Sequence, residues 1–254
     1  MTEYAPQTTF LSLPTELRLQ IAAYALEQSL DDGPFKTEPI TYCDPDSVGP
    51  PTHTLSLDPS YTATSNLSIL LVCRQFRDDF RCLALQKTWF LLTVHQGRTI
   101  AGQTDELLRN VRKIAISCGY HDSILSWYRF PFNNTCMKLD ELTLSMFYLP
   151  DIMELVRLLR RLQNVKVMRI LPHVLDGVRR LFGAILKEDH FQRYDARNAP
   201  NLPKTWWEWS YNQEESGYIL VAQDPKPVME EEDYMRFVKP LIDELMQDAA
   251  GRLV

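Results

Sequence analysis

Cys118-Gly119-Tyr120-His121 is the nearest this chain comes to a metal-binding pattern, two ligand-type residues spaced like half of a zinc site. A structural zinc takes four ligands, and no second close pair accompanies the first, so no metal is expected. The five histidines, His53, His95, His121, His173 and His190, are scattered and read as surface or satisfied core residues. Asp189-His190 would suit a polarised imidazole, but adjacent residues on a helix do not face each other. The chain has no glycine-rich phosphate loop, no His-Glu-x-x-His and no nucleophile-elbow serine. The expectation is a non-catalytic chain that needs no cofactor.

Two further sets bear on binding. Arg157, Arg160, Arg161, Lys166, Arg169, Arg179 and Arg180 form a basic group, which reads as a solvated helix face rather than an anion site. Trp206, Trp207 and Trp209 fall on a predicted strand, where alternation sends two side chains one way and one the other. Core packing is the common fate of such rings, and at least one of the three is expected at the surface as an anchor for a client protein.

Bulk properties narrow the class. The 254 residues are 45% hydrophobic and 24% charged, an ordinary globular balance that permits one large domain or two small ones. A net charge of -6 and a pI near 5.4 argue against generic nucleic-acid binding, which needs clustered Lys and Arg. Met1–Pro6 is polar and unlike a signal peptide, and no apolar run approaches the ~20 residues that span a bilayer. Cys43, Cys73, Cys82, Cys118 and Cys136 are odd in number and irregularly spaced, so no disulfide framework is expected. A cytoplasmic or nuclear protein without membrane contact is the expectation.

The elements that organise the chain begin at Phe10. Pro14 suits a first helical position and Glu16 the positive end of the helix dipole. Leu17, Ile21, Tyr24 and Ala25 then line one face, with Leu13 at its entrance. A second helix is predicted from Ser65 as N-cap, with Ile69, Val72, Cys73, Phe76, Phe80 and Leu83 on the side that packs on the first. Between the two, residues 29–64 accumulate six prolines and read either as an extended surface loop or as a disordered insertion, with Thr54–Leu57 a possible short strand. Thr88–Val94 reads as a buried strand.

Leu13-Pro14-x-Glu16-Leu17-Arg18-x-x-Ile21, ending in Tyr24-Ala25-Leu26, resembles the opening of the F-box, in particular of the F-box-like proteins of filamentous fungi. Leu70-Leu71-Val72-Cys73-Arg74-Gln75-Phe76 is similar to the family's second helix, displaced here by the proline-rich insertion at 31–64. The resemblance implies a substrate receptor of a cullin-RING (SCF-type) ubiquitin ligase, whose helices bind a Skp-type adaptor while the C-terminal part selects a client. Carried over residue by residue, the adaptor contacts are Leu13, Pro14, Leu17, Ile21, Val72, Cys73 and Phe76. The alternative is a self-contained globular protein that keeps the motif without the ligase role.

Further on, one apolar spacing recurs three times: Leu108-x-x-Val111-x-x-Ile114-x-Ile116, Cys136-x-x-Leu139-x-x-Leu142-x-Leu144 and Leu162-x-x-Val165-x-x-Met168-x-Ile170. The copies stand 28 residues apart (114 to 142) and 26 apart (142 to 168), close to the about 20–29 of leucine-rich repeats. Each copy would supply a strand, and the intervening segments would return as helices, at Pro150–Leu162 and His173–Lys187. Trp206–Trp209 and Tyr218–Ala222 read as a hairpin, and a last helix from Glu230 as a cap. The expected fold is α/β: an F-box-like helical module over 1–95, then over 96–254 a degenerate leucine-rich-repeat-like strand and helix array with a C-terminal hairpin and capping helix.

Overall fold

Ile114, Leu142 and Met168, equivalent positions of the three apolar copies, are direct neighbours across parallel strands, and so are Ile116, Leu144 and Ile170. The computed structural model describes residues 9–28, 33–39, 53–93, 99–118, 129–146, 158–159, 161–172, 183–185, 187–188, 206–212, 217–224 and 230–250. In it the copies form β4 (Lys113–Cys118), β5 (Leu139–Met146) and β6 (Val165–Pro172). β3 (Trp89–Leu92) joins parallel to β4. The predicted hairpin is present as β7 (Trp206–Asn212) and β8 (Gly217–Gln223), with β8 antiparallel to β6, so the mixed sheet runs β3-β4-β5-β6-β8-β7.

Parallel neighbours need crossovers, and the described crossover residues cover one face of the sheet. Leu108 of α4 (Asp105–Asn110), Leu158, Leu159 and Leu162 bury against Ile114, Ile116, Leu142, Leu144, Met168 and Ile170. Thr104 starts α4, its hydroxyl accepting from the Leu107 N–H, with Asp105 and Glu106 in the first turn. Asn164 ties one unit to the previous one, its amide donating to the carbonyls of Asn134 and Met137. Most of Pro150–Leu162 and of His173–Lys187 lies outside the described residues.

The opposite face is of mixed polarity. Thr143, Ser145 and Arg169 are buried on it beside Trp89, Ala115 and Leu171, with Arg169 Nε donating to Glu141 Oε1 at 3.0 Å. Arg169 therefore does not belong to a solvated face. A strand position on this covered face is largely shielded from water, and its charge is met by Glu141 instead. Lys166 of the same set is exposed and pairs with Asp140 at 2.6 Å.

That covering layer comes from the proline-rich segment. β1 (Phe35–Pro39) and β2 (His53–Leu57) form an antiparallel hairpin, with Asp58 N–H closing on the Pro34 carbonyl. Phe35 and Leu55 are buried against Trp89, Ala115 and Leu171, the Phe35 and Trp89 rings meeting edge to face at 5.1 Å. The segment is thus not only a surface loop: two of its apolar side chains gain more by burial on the sheet than solvent exposure allows.

The N-terminal helices differ from the prediction at one joint. α1 (Thr15–Ala25) begins after Pro14, which stands at the cap. The predicted second helix is divided into α2 (Thr64–Leu67), a 3-10 turn Ser68–Leu71, and α3 (Arg74–Lys87). Cys73 breaks the run by adopting an extended backbone, and its Sγ accepts from the Phe76 N–H at 3.4 Å. A residue in that conformation rotates the preceding turn, so Val72 leaves the apolar face it would share with Phe76 in one continuous helix.

α5 (Glu231–Ala250) opens on Glu231, Glu232 and Asp233 and is seated by Tyr234 and Val238, buried one turn apart. A division after residue 95 would cut β3 from the sheet to which it is hydrogen-bonded, because α3 runs directly into that strand. Among the described residues no helix is long and apolar enough to cross a membrane. Leu142 is fully buried in an interior strand, so Leu142→Ala is expected to cost about 3 kcal/mol, read from the midpoint of urea unfolding.

Candidate docking surface

Arg18 sets the rotation of α1. Its guanidinium is buried, with Nη2 2.7 Å from Asp79 Oδ2 on α3 and 3.1 Å from Thr15 Oγ1, while Nη1 donates to the carbonyls of Leu11 and Leu13. With its amide oxygen turned inward, Gln75 accepts from both Nη1 and Nη2 at 3.1 and 3.3 Å. Ala22 and Leu26 follow Arg18 at intervals of four and pack with Phe80 and Ala84 of α3. Phe10, Phe76 and Phe80 complete this small core as a set of tilted and edge-to-face rings.

The face that this leaves outward is apolar. Leu17 is 45% exposed, Ile21 47% and Tyr24 88%, at helical spacing along α1. Leu71 is 76% and Val72 63% exposed at the corner before α3, and Leu11 is exposed as well. A run of unburied leucine, isoleucine, valine and tyrosine on one three-helix unit is the kind of patch that marks a protein contact.

The seven residues carried over from the F-box resemblance separate into two groups. Pro14, Leu17, Ile21 and Val72 are exposed and Leu13 is half-buried. Cys73 and Phe76 have internal tasks, capping α3 and packing on Phe10 and Phe80, so they shape the surface and do not form it. Leu71 and Leu11 are exposed on the same unit and were not among the residues singled out from the sequence. Periodicity offered no signal for Leu71, since it assumed one unbroken helix through Val72, and Leu11 precedes the helix whose spacing was read.

The tryptophans take the core option where their side chains are described. Trp207 Nε1 donates to the Leu159 carbonyl at 2.6 Å, Trp209 packs on Tyr218, and both rings lie against the main core. Alternation puts these two on one face of β7, and it is the face turned toward the crossover residues. Trp207 and Trp209 are therefore half-buried packing residues, and the Trp206 side chain lies outside the described residues. Cys118 is buried in that core, whereas His121 lies outside the described residues. Among the described residues no three His, Cys, Asp or Glu side chains group as metal ligands.

The helical unit is tied to the sheet at the end of α1. Glu27 pairs with Lys87 at the end of α3 and lies 3.8 Å from Lys113 of β4. Gln28 Oε1 accepts from the Trp89 N–H, and the Tyr61 hydroxyl lies 3.2 Å from that oxygen and 3.1 Å from the Trp89 carbonyl. Burial raises the Tyr61 pKa above the usual phenol value. The hydrogen bond from Lys87 holds the Glu27 carboxyl below its usual range, against the opposing effect of partial burial and with help from the charges of Lys87 and Lys113.

Compared with family models, curated proteins and solved structures, the chain matches none of them.

Removing one partner of the inward ion pair strands a buried charge, so Asp79→Ala is expected to cost on the order of 3 kcal/mol in chemical unfolding, against less than about 0.5 for the outward Leu17→Ala. Glu27 predicts a pH effect of defined sign. Its folded pKa lies below the unfolded one, so its stabilisation is complete above the ordinary Glu pKa and is lost as pH falls through the folded value. The melting-temperature gap between wild type and Glu27→Gln, equivalent to about 1 kcal/mol or less for so exposed a pair, is expected to close on acidification.

Proposed function

We propose that the chain is a protein-interaction adaptor, an F-box-like substrate receptor whose N-terminal helices dock on a Skp-type subunit of a cullin-RING ubiquitin ligase. The observation that carries this reading is the outward apolar face of Leu17, Ile21 and Tyr24 together with Leu71 and Val72. A helix with one face packed and a second apolar face in water is suited to entering a partner's groove. Ubiquitin transfer would fall to other subunits, in keeping with a sequence that has no catalytic pattern. The parallel ladder β3-β4-β5-β6, whose equivalent positions follow one apolar template, supports a leucine-rich-repeat-like array as its C-terminal part.

A second reading is favoured by the joint between the two parts. Glu27, Gln28 and Tyr61 bind the helical unit to β3 and β4, as in a self-contained protein that has kept the motif for its own packing. Co-expression with a fungal Skp adaptor separates the two. The adaptor reading expects a one-to-one complex that survives gel filtration and that the outward pair Leu17→Asp, Val72→Asp weakens at least tenfold with the melting temperature unchanged. A wild-type chain that elutes alone supports the self-contained reading.

A further inference from the structure

We infer that the free chain pairs with a second copy of itself, α5 of each copy docking on the Leu71–Val72 corner of the other. Among the described residues, every large apolar side chain that remains exposed, except Val221, lies either on the N-terminal helical unit or on α5. On α5 the exposed ones are Met235, Ile242 and Met246, whose spacing of seven and four aligns them in one stripe distinct from the buried Tyr234 and Val238.

The two surfaces carry opposite charge. Along α5, Lys239 is taken up by Asp243, and Arg236 is the one cation shared by Glu232 and Asp233, so the first turn, which also carries Glu231, keeps a net negative charge beside the stripe. At the corner, Leu71 and Val72 stand just before the Cys73 cap of α3, whose exposed side carries Arg74, Arg77 and Arg81 with the single acid Asp78 among them. Arg77 uses its Nε on the Leu70 carbonyl and Arg81 is 3.6 Å from Glu106, an exposed and weak pair, so the side remains cationic. An acid-bordered methionine and isoleucine stripe thus meets an arginine-bordered leucine and valine pair. Each chain carries both halves, and the proposed pairing uses both, the two contacts being related by a two-fold axis. Two α5 helices facing each other would instead oppose like charges, which disfavours the symmetric helix pair.

The pairing goes beyond the adaptor reading, although it shares Leu71 and Val72 with it, and it is measured with no adaptor present, so that each can fail alone. Sedimentation equilibrium of the full chain, from low to high micromolar concentration at low salt, is expected to show the mass rising from one chain toward two, and the association weakening in high salt. Leu71→Asp with Val72→Asp, or Met235→Asp with Ile242→Asp, each weakens self-association at least tenfold. A mixture of the two double variants keeps one of the two stripe-to-corner contacts intact, so it pairs more tightly than either variant alone and more weakly than the wild type. All four positions are exposed, so circular dichroism is expected to stay unchanged. A chain that stays monomeric at every concentration overturns the proposal, and so does an association that either variant leaves intact or a mixture that pairs no more tightly than either variant alone.

Discussion

The buried guanidinium of Arg18 is the constraint on which the N-terminal half of the molecule depends. A charge removed from water must be neutralised, and Asp79, Thr15 and the carbonyls of Leu11 and Leu13 converge on its Nη1 and Nη2 groups from three segments. Apolar attraction alone would turn Leu17 and Ile21 toward α3, since they have more surface to bury than Ala22. The ion pair selects the other rotation. It places the small Ala22 against Phe80 and Ala84, brings the two helices close, and leaves the larger side chains outside.

A second set of contacts transmits that arrangement to the sheet. α3 ends at Thr88, whose hydroxyl donates to the Ala84 carbonyl at 2.6 Å, and the chain enters β3 at once. Trp89 is therefore shared: its backbone is held by Gln28 and Tyr61, its ring by Phe35 of the hairpin, and its strand by β4. The helical unit, the hairpin and the sheet meet at this residue. The hairpin over one face and the crossovers over the other leave less of the sheet open than a simple concave array would.

The three apolar copies show how much a pattern can carry. Because side chains on a strand alternate and neighbouring parallel strands align their inward positions, an identical spacing repeated along the chain implies an identical register. Leu139 opposite Val165 and Ile116 opposite Leu144 follow from that alone. The C-terminal hairpin was equally readable, since Trp207 opposite Ala222 and Trp209 opposite Leu220 flank a polar turn of the expected length. Phe35–Pro39 was not readable as a strand. Its partner lies beyond an intervening run of proline-rich sequence, and its two buried contacts come from the sheet.

Composition and spacing thus determined the three repeated strands with their register, the C-terminal hairpin and the amphipathic character of the helices, because these depend on interactions local in sequence or on strict periodicity. Tertiary structure alone decided which apolar residues face water. Arg18 and Asp79 are 61 positions apart, the Cys73 cap interrupts an apparently continuous helical pattern, and Arg169 is buried on the sheet with Glu141, 28 positions away, as its partner. Each outcome is a choice between burying a charge with a distant partner and burying a larger apolar surface without one, and sequence spacing carries no information about where that partner will be.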